Sequence, residues 1–243
     1  MSSASAKQNA GVFGALLGTT IGLKALMAVT GFVWVGFVLG HMVGNLQIFL
    51  PMPDDGVHAI NKYAAMLKGM GGLLWAVRLG LLAAFAAHVW AAIKLGGVNS
   101  AARPVQYRDR KAQVSTFSSS YMRVSGFAIL FFVLYHLAHF TLGMTDPGAF
   151  NHHLPNGMHD VYTMFILGFR NPIVAGLYVI ANVLVAMHLH HAVSSIFQTL
   201  GLRSARYAPI IDKIGPTVGA IVAVGNLSMP VAVMLGLIGK SVQ

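Results

Sequence analysis

Four histidines sit deep in apolar sequence: His41 in Val38-Leu-Gly-His-Met, His88 in Phe85-Ala-Ala-His-Val, His136 in Val133-Leu-Tyr-His-Leu and His188 in Val185-Ala-Met-His-Leu. One such histidine is ordinarily a neutral imidazole bonded to a nearby carbonyl. Four of them, on four successive apolar segments, argue for a task, because an ionisable group in hydrocarbon is costly enough to mark function by default. The rest of the inventory narrows that task. Cysteine is absent, which excludes disulfides, iron–sulfur ligation, thiol catalysis and covalent CxxCH attachment in this chain. Glutamate is absent too, and the six acidic residues are all Asp, so no paired-carboxylate site can be built within the apolar segments. Any chemistry there falls to imidazole.

These histidines need elements to position them. With 56% hydrophobic and 9% charged residues among 243, the chain is no ordinary soluble domain, in which roughly a quarter would be charged. Apolar runs from Ala25 to Leu50, Leu73 to Gly96, Met122 to Met144, Pro172 to Phe197 and Pro216 to Ile238 each reach the ~20 residues that a helix needs to cross ~30 Å of hydrocarbon. An open sheet edge cannot be satisfied in lipid, so the runs are expected to be helices. The predicted fold is all-α: a polytopic bundle of five transmembrane helices over residues 25–243. A segment 1–24 precedes it, with a short interfacial helix expected over Asn9–Leu23.

Basic residues set the predicted orientation. The second connection carries Arg103, Arg108, Arg110, Lys111 and Arg123, and the fourth Arg203, Arg206 and Lys213. The first holds Asp54, Asp55, Lys62 and Lys68, and the third Asp146, Asp160 and Arg170 with three histidines. The positive-inside rule then places the N-terminus and the two basic connections in the cytoplasm of a bacterial inner membrane. The net charge of +10 has this topological use and does not argue for nucleic acid.

Depth pairs the histidines. On this orientation His41 and His136 lie roughly fifteen residues from the cytoplasmic ends of outward-running helices, hence ~22 Å up and in the outer half. His88 and His188 lie about as far from the outer ends of inward-running helices, hence in the inner half. Each pair draws on two different helices, the arrangement that holds a planar macrocycle between two imidazoles in a bundle core. Zinc would usually want a third or fourth ligand at each site. Two bis-histidine haems b are the better reading.

Three stretches carry a family likeness: Gly40-His-Met-Val-Gly-Asn45, Ser125-Gly-Phe-Ala-Ile-Leu-Phe-Phe-Val-Leu-Tyr-His136 and His188-Leu-His-His-Ala-Val-Ser-Ser-Ile-Phe-Gln-Thr-Leu-Gly201. With Thr20-Ile-Gly-Leu-Lys24 and Gly225-Asn-Leu-Ser-Met-Pro230, the chain resembles the di-haem cytochrome b558-type membrane anchor of succinate dehydrogenases and fumarate reductases. The resemblance implies axial ligands His41 with His136 and His88 with His188, and favours His188 over its near neighbour His191. It implies a cytoplasmic iron–sulfur subunit with a flavoprotein bound to it, electron exchange with menaquinone, and no dicarboxylate site in this chain. The direction of the reaction and any higher oligomer stay open.

Further residues are candidates around that core. Arg78 and Arg170 suit the propionates of an outer haem, Lys94 and Arg123 those of an inner one, with His139 and His191 beside the ligands. A quinone site is expected near the outer haem from Asn45, Gln47, Trp75 and Arg78. His58, His152, His153 and His159 are expected to be solvated loop residues. Rival readings are a di-haem subunit of a hydrogenase or formate dehydrogenase, and a transporter using histidine for protons; the latter predicts broken helices or an inverted repeat.

Overall fold

The computed structural model describes residues 14, 17–101 and 121–242. Eight helices are described: α1 (Thr20–Asn45), α2 (Ala59–Gly69), α3 (Gly72–Ala101), α4 (Met122–His136), α5 (Pro147–Phe150), α6 (Val161–Arg170), α7 (Pro172–Thr199) and α8 (Ala208–Met234). A 3-10 turn, Leu46–Phe49, extends α1, and a π turn, Leu137–Thr141, extends α4. Five of the helical segments are long and apolar enough to cross a membrane: Thr20–Phe49, Gly72–Val98, Met122–Thr141, Pro172–Thr199 and Ala208–Met234. No strand occurs among the described residues.

Two boundaries differ from expectation for local reasons. The first long helix starts at Thr20, because the Thr19 hydroxyl accepts the Gly22 N–H at 3.0 Å and caps it there. Thr20–Leu23 are thus the first turn of α1, and the earlier part of the expected interfacial helix lies largely outside the described residues. The last helix begins at Ala208 rather than Pro216. Pro209 occupies its first turn, where the missing N–H costs nothing, and Pro216 and Pro230 lie inside it. Residues 103–111, expected to form a basic cytoplasmic loop, are also outside the described set.

The helices α1, α3, α4, α7 and α8 define two ends, named for His41 and His88. Most of the short elements gather at the His41 end. Asp160 caps α6 by accepting the Thr163 N–H at 3.1 Å, and Asn171 caps α7 by accepting the Ile173 N–H at 3.0 Å, ahead of Pro172. Asn61, 2% exposed, ties α2 to α6: its amide donates to Asp160 at 3.0 Å and accepts the Tyr162 N–H at 2.8 Å. A core of Ile48, Ile60, Phe165, Ile166, Phe169, Tyr178, Met229 and Val233 lies beneath. The expectation that His58 is a solvated loop residue is wrong. It is 4% exposed, caps α2 and stacks on Tyr162 at 4.2 Å, because the loop folds back as helices over an apolar floor. His159 is likewise part-buried and donates from Nε2 to the Phe150 carbonyl at 2.6 Å.

At the centre, α7 and α8 make the closest helix pair. Gly215 and Gly219 lie against the α7 backbone: a Cβ at Gly219 would come 2.8 Å from the Ala186 carbonyl oxygen, and one at Gly215 would strike that of His190. Glycines four apart let two backbones approach this closely. Asn226 then donates across the pair to Asn182 at 2.8 Å.

Candidate functional site

The hydroxyl partners of two histidines fix their tautomers. The Thr30 hydroxyl on α1 donates to the Leu26 carbonyl at 2.7 Å and also lies 3.1 Å from His88 Nδ1 on α3. Its one proton is spent on the carbonyl, so His88 Nδ1 must be the donor and Nε2 carries a lone pair. The same logic holds on the next two long helices. Ser125 on α4 donates to the Met122 carbonyl at 3.1 Å and accepts from His188 Nδ1 on α7 at 3.2 Å. His88 and His188 lie within electrostatic reach of each other. Neutral imidazoles with Nδ1–H anchored and Nε2 bare are in the form that binds a metal.

At the other end His41 and His136 face each other from α1 and α4, ring centres 5.7 Å apart. Two nitrogens at ~2 Å from one metal ion put imidazole centres roughly 6 Å apart. His136 Nδ1 meets the Tyr178 hydroxyl at 3.3 Å. His41 Nε2 accepts from the Asn45 amide at 3.0 Å, so that nitrogen also carries a lone pair. Ligation by this atom requires Asn45 to release it.

The two halves repeat one design. Thr30-Gly31 precedes His41 and Ser125-Gly126 precedes His136, each hydroxyl eleven positions before its histidine. Eleven residues are close to three full turns, so hydroxyl and imidazole share a face ~16 Å apart. In each hairpin the first helix supplies the hydroxyl that holds the histidine of the second. The glycine beside each hydroxyl faces the same imidazole: a Cβ at Gly31 would sit in ordinary contact 3.5 Å from His88 Cε1, and one at Gly126 3.8 Å from His188 Cε1. Comparison with family models, curated proteins and solved structures finds no match. The donor set therefore has to be judged on its own chemistry. Among the described residues no three His, Asp, Glu or Cys side chains converge, so each pair offers two imidazoles at most. Both pairs bridge helices that do not pack along their length, α1 with α4 and α3 with α7. The facing rings of His41 and His136, and the nearness of His88 to His188, fit a haem, which would supply the remaining nitrogens.

The remaining candidates divide. His188, rather than His191, is the residue that Ser125 holds and that comes within electrostatic reach of His88. His139 is buried next to His136, its Nδ1 3.1 Å from the Tyr178 hydroxyl. Arg170 donates to the carbonyls of Gly239 at 2.9 Å and Val242 at 2.5 Å, strapping down the C-terminal tail at the His41 end. Arg78 stands over the Trp75 ring at 5.1 Å and Lys94 over Trp90 at 4.7 Å; Arg123 is exposed at the start of α4. Gln47 lies in the 3-10 turn after α1, and Asn45 is engaged with His41. Thr30, Ser125 and Tyr178 are site residues that were not expected from sequence. The recurring hydroxyl-glycine pair eleven positions before a histidine was the available signal for the first two; Tyr178 had none.

Proposed function

We propose that this chain is the membrane anchor and quinone-reactive di-haem cytochrome b subunit of a bacterial succinate:menaquinone oxidoreductase, relaying electrons between an iron–sulfur subunit and membrane quinone. The observation that carries the reading is the pair of two-imidazole sites along one bundle, with His88 and His188 held in ligand-ready tautomers by Thr30 and Ser125, and His136 beside the Tyr178 hydroxyl. Bound haem b supplies one-electron transfer at each site. The protein's part is positional. Hydroxyls orient His88, His136 and His188, and the apolar helices exclude water. The iron–sulfur and flavoprotein subunits would dock at the His88 end, where Arg206 and Lys213 lie and where Arg203 is already paired with Asp212 at 2.9 Å. Quinone would react near the His41 end, with Asn45, Gln47, Trp75 and Arg78 as its polar and aromatic surroundings.

The family likeness bears on protons as well. Some di-haem relatives that use menaquinol to reduce fumarate place a Glu two residues before the fourth-helix histidine, where it carries protons across the membrane. Here that position is Ala186, whose carbonyl lies against Gly219, and the chain has no Glu. Electron flow between the faces then moves uncompensated charge, worth ~2.3 kcal/mol per 100 mV for each full crossing. Copurified complex in sealed vesicles held at an imposed membrane potential should oxidise succinate with a naphthoquinone and lose that activity when an uncoupler collapses the potential. Activity indifferent to the potential contradicts the uncompensated path, and failure to copurify with soluble partners contradicts the anchor role.

A further inference from the structure

Tyr178 links two imidazoles through one hydroxyl, and the reading of His136 as a haem ligand gives that contact a direction. The phenol is 4% exposed, with its oxygen 3.3 Å from His136 Nδ1 and 3.1 Å from His139 Nδ1. It has one proton to give. A His136 that ligates through Nε2 carries its proton on Nδ1 and donates to the phenol oxygen. The phenol proton is then left for His139 Nδ1, and His139 holds its own proton at Nε2. The three groups form a chain with every donor pointing away from the ligand.

We propose that Tyr178 is a positioning residue that sets the electron-donating strength of His136, and so the midpoint potential of one haem, with His139 as the group that holds the phenol proton. A ligand imidazole whose Nδ1–H is held by a strong acceptor is a better donor to iron and favours the oxidised state. Hydrogen bonds in series strengthen one another, so the phenol oxygen accepts more strongly for having given its proton to His139. Packing fixes the chain. The Tyr178 ring meets Phe132 at 5.1 Å and Phe169 at 4.9 Å, and His139 stacks on Phe140 at 4.0 Å. The π turn Leu137–Thr141 carries His139 to the same phenol as His136, and such turns recur at functional sites. The other hydroxyl partners differ: the Thr30 and Ser125 protons end on backbone carbonyls. The two sites are thereby made unequal by their own side chains.

Optical redox titration of the full chain, purified with its haem, tests this. In Tyr178→Phe one of two haem components should shift to higher potential while the other stays put. Incorporation of 3-fluorotyrosine at 178, which keeps the bond with a poorer acceptor, should give a smaller shift of the same component in the same direction, as should His139→Phe. The fluorotyrosine protein retains the ring, so it decides the matter even where Tyr178→Phe loses a haem. Two haems with unmoved potentials, or both moved alike, would overturn the role of Tyr178 and leave the di-haem reading standing. A wild-type chain purified without haem overturns both.

Discussion

At the scale of single residues, imidazoles in hydrocarbon need more than a metal to justify them; each needs its second nitrogen satisfied. Ser125 and Thr30 meet that need from the neighbouring helix, and each is buried. Replacing Ser125 by Ala leaves His188 Nδ1–H without its acceptor, and loss of such a partner typically costs 10- to 100-fold in affinity for the metal group. Haem retention at one spectral component should fall by roughly tenfold in Ser125→Ala, measured by titrating haem into stripped protein, while the second component is unchanged. The His41 end makes a different prediction. Burial holds the His58 imidazole below its ordinary value, although hydrogen bonding to Leu50 and the charge of Asp160 oppose this. For Asp160 burial pushes upward, but the Thr163 hydroxyl, the Thr163 N–H and Asn61 together bring the carboxyl below its usual range. Both groups bind protons less readily folded than unfolded. The unfolded chain therefore takes up more protons on acidification, and stability falls with pH, beginning below the ordinary histidine value of about 6.5 and continuing through the carboxylate range. Hydrogen exchange of α2 and α6 should quicken over that window, and His58→Phe should weaken its upper part, which His159, also held low by burial, shares. The candidate histidines were legible from sequence because they break an apolar pattern. Their hydroxyl partners were not, since Ser and Thr in a membrane helix are commonplace and only the recurring spacing sets these two apart.

At the scale of elements, five apolar runs gave five long helices, because hydrophobic length alone specifies a spanning helix. The ends were harder to read. A Thr cap moved one start and a proline-tolerant first turn moved another, and neither signal is visible to hydropathy. The short helices α2 and α6 were missed because their residues are too few to cross a membrane and their amphipathic faces pack on the bundle end instead. Helix pairing was also hidden, although Gly215 and Gly219 carried it. Gly219→Leu should drive its side chain into Ala186 and His190 on α7, costing ~1–3 kcal/mol by overpacking. Since His188 stands two residues before His190, the same change should disturb the His88–His188 component. Thermal unfolding in detergent, followed with the absorption spectrum, reads both effects; an unchanged melting temperature would mean that the helices do not meet through this face.

At the scale of the molecule, two hairpins of the same plan, α1 with α3 and α4 with α7, each present one hydroxyl and two histidines, and α8 braces the second. The first helices of both hairpins run the same way, so the repeat is parallel rather than inverted, unlike the inverted arrangement set out for a histidine-dependent transporter. The stack of one imidazole pair above another, ~16 Å apart along the helices, is the feature that an electron relay across a bilayer requires. The most direct test is the haem content and redox spectrum of the purified chain. Two haems b per chain are expected, six-coordinate and low-spin in both oxidation states, with His41→Ala or His136→Ala removing one component and His88→Ala or His188→Ala the other. A chain that carries no haem, or one that keeps both components in His188→Ala but loses one in His191→Ala, would contradict this ligand assignment.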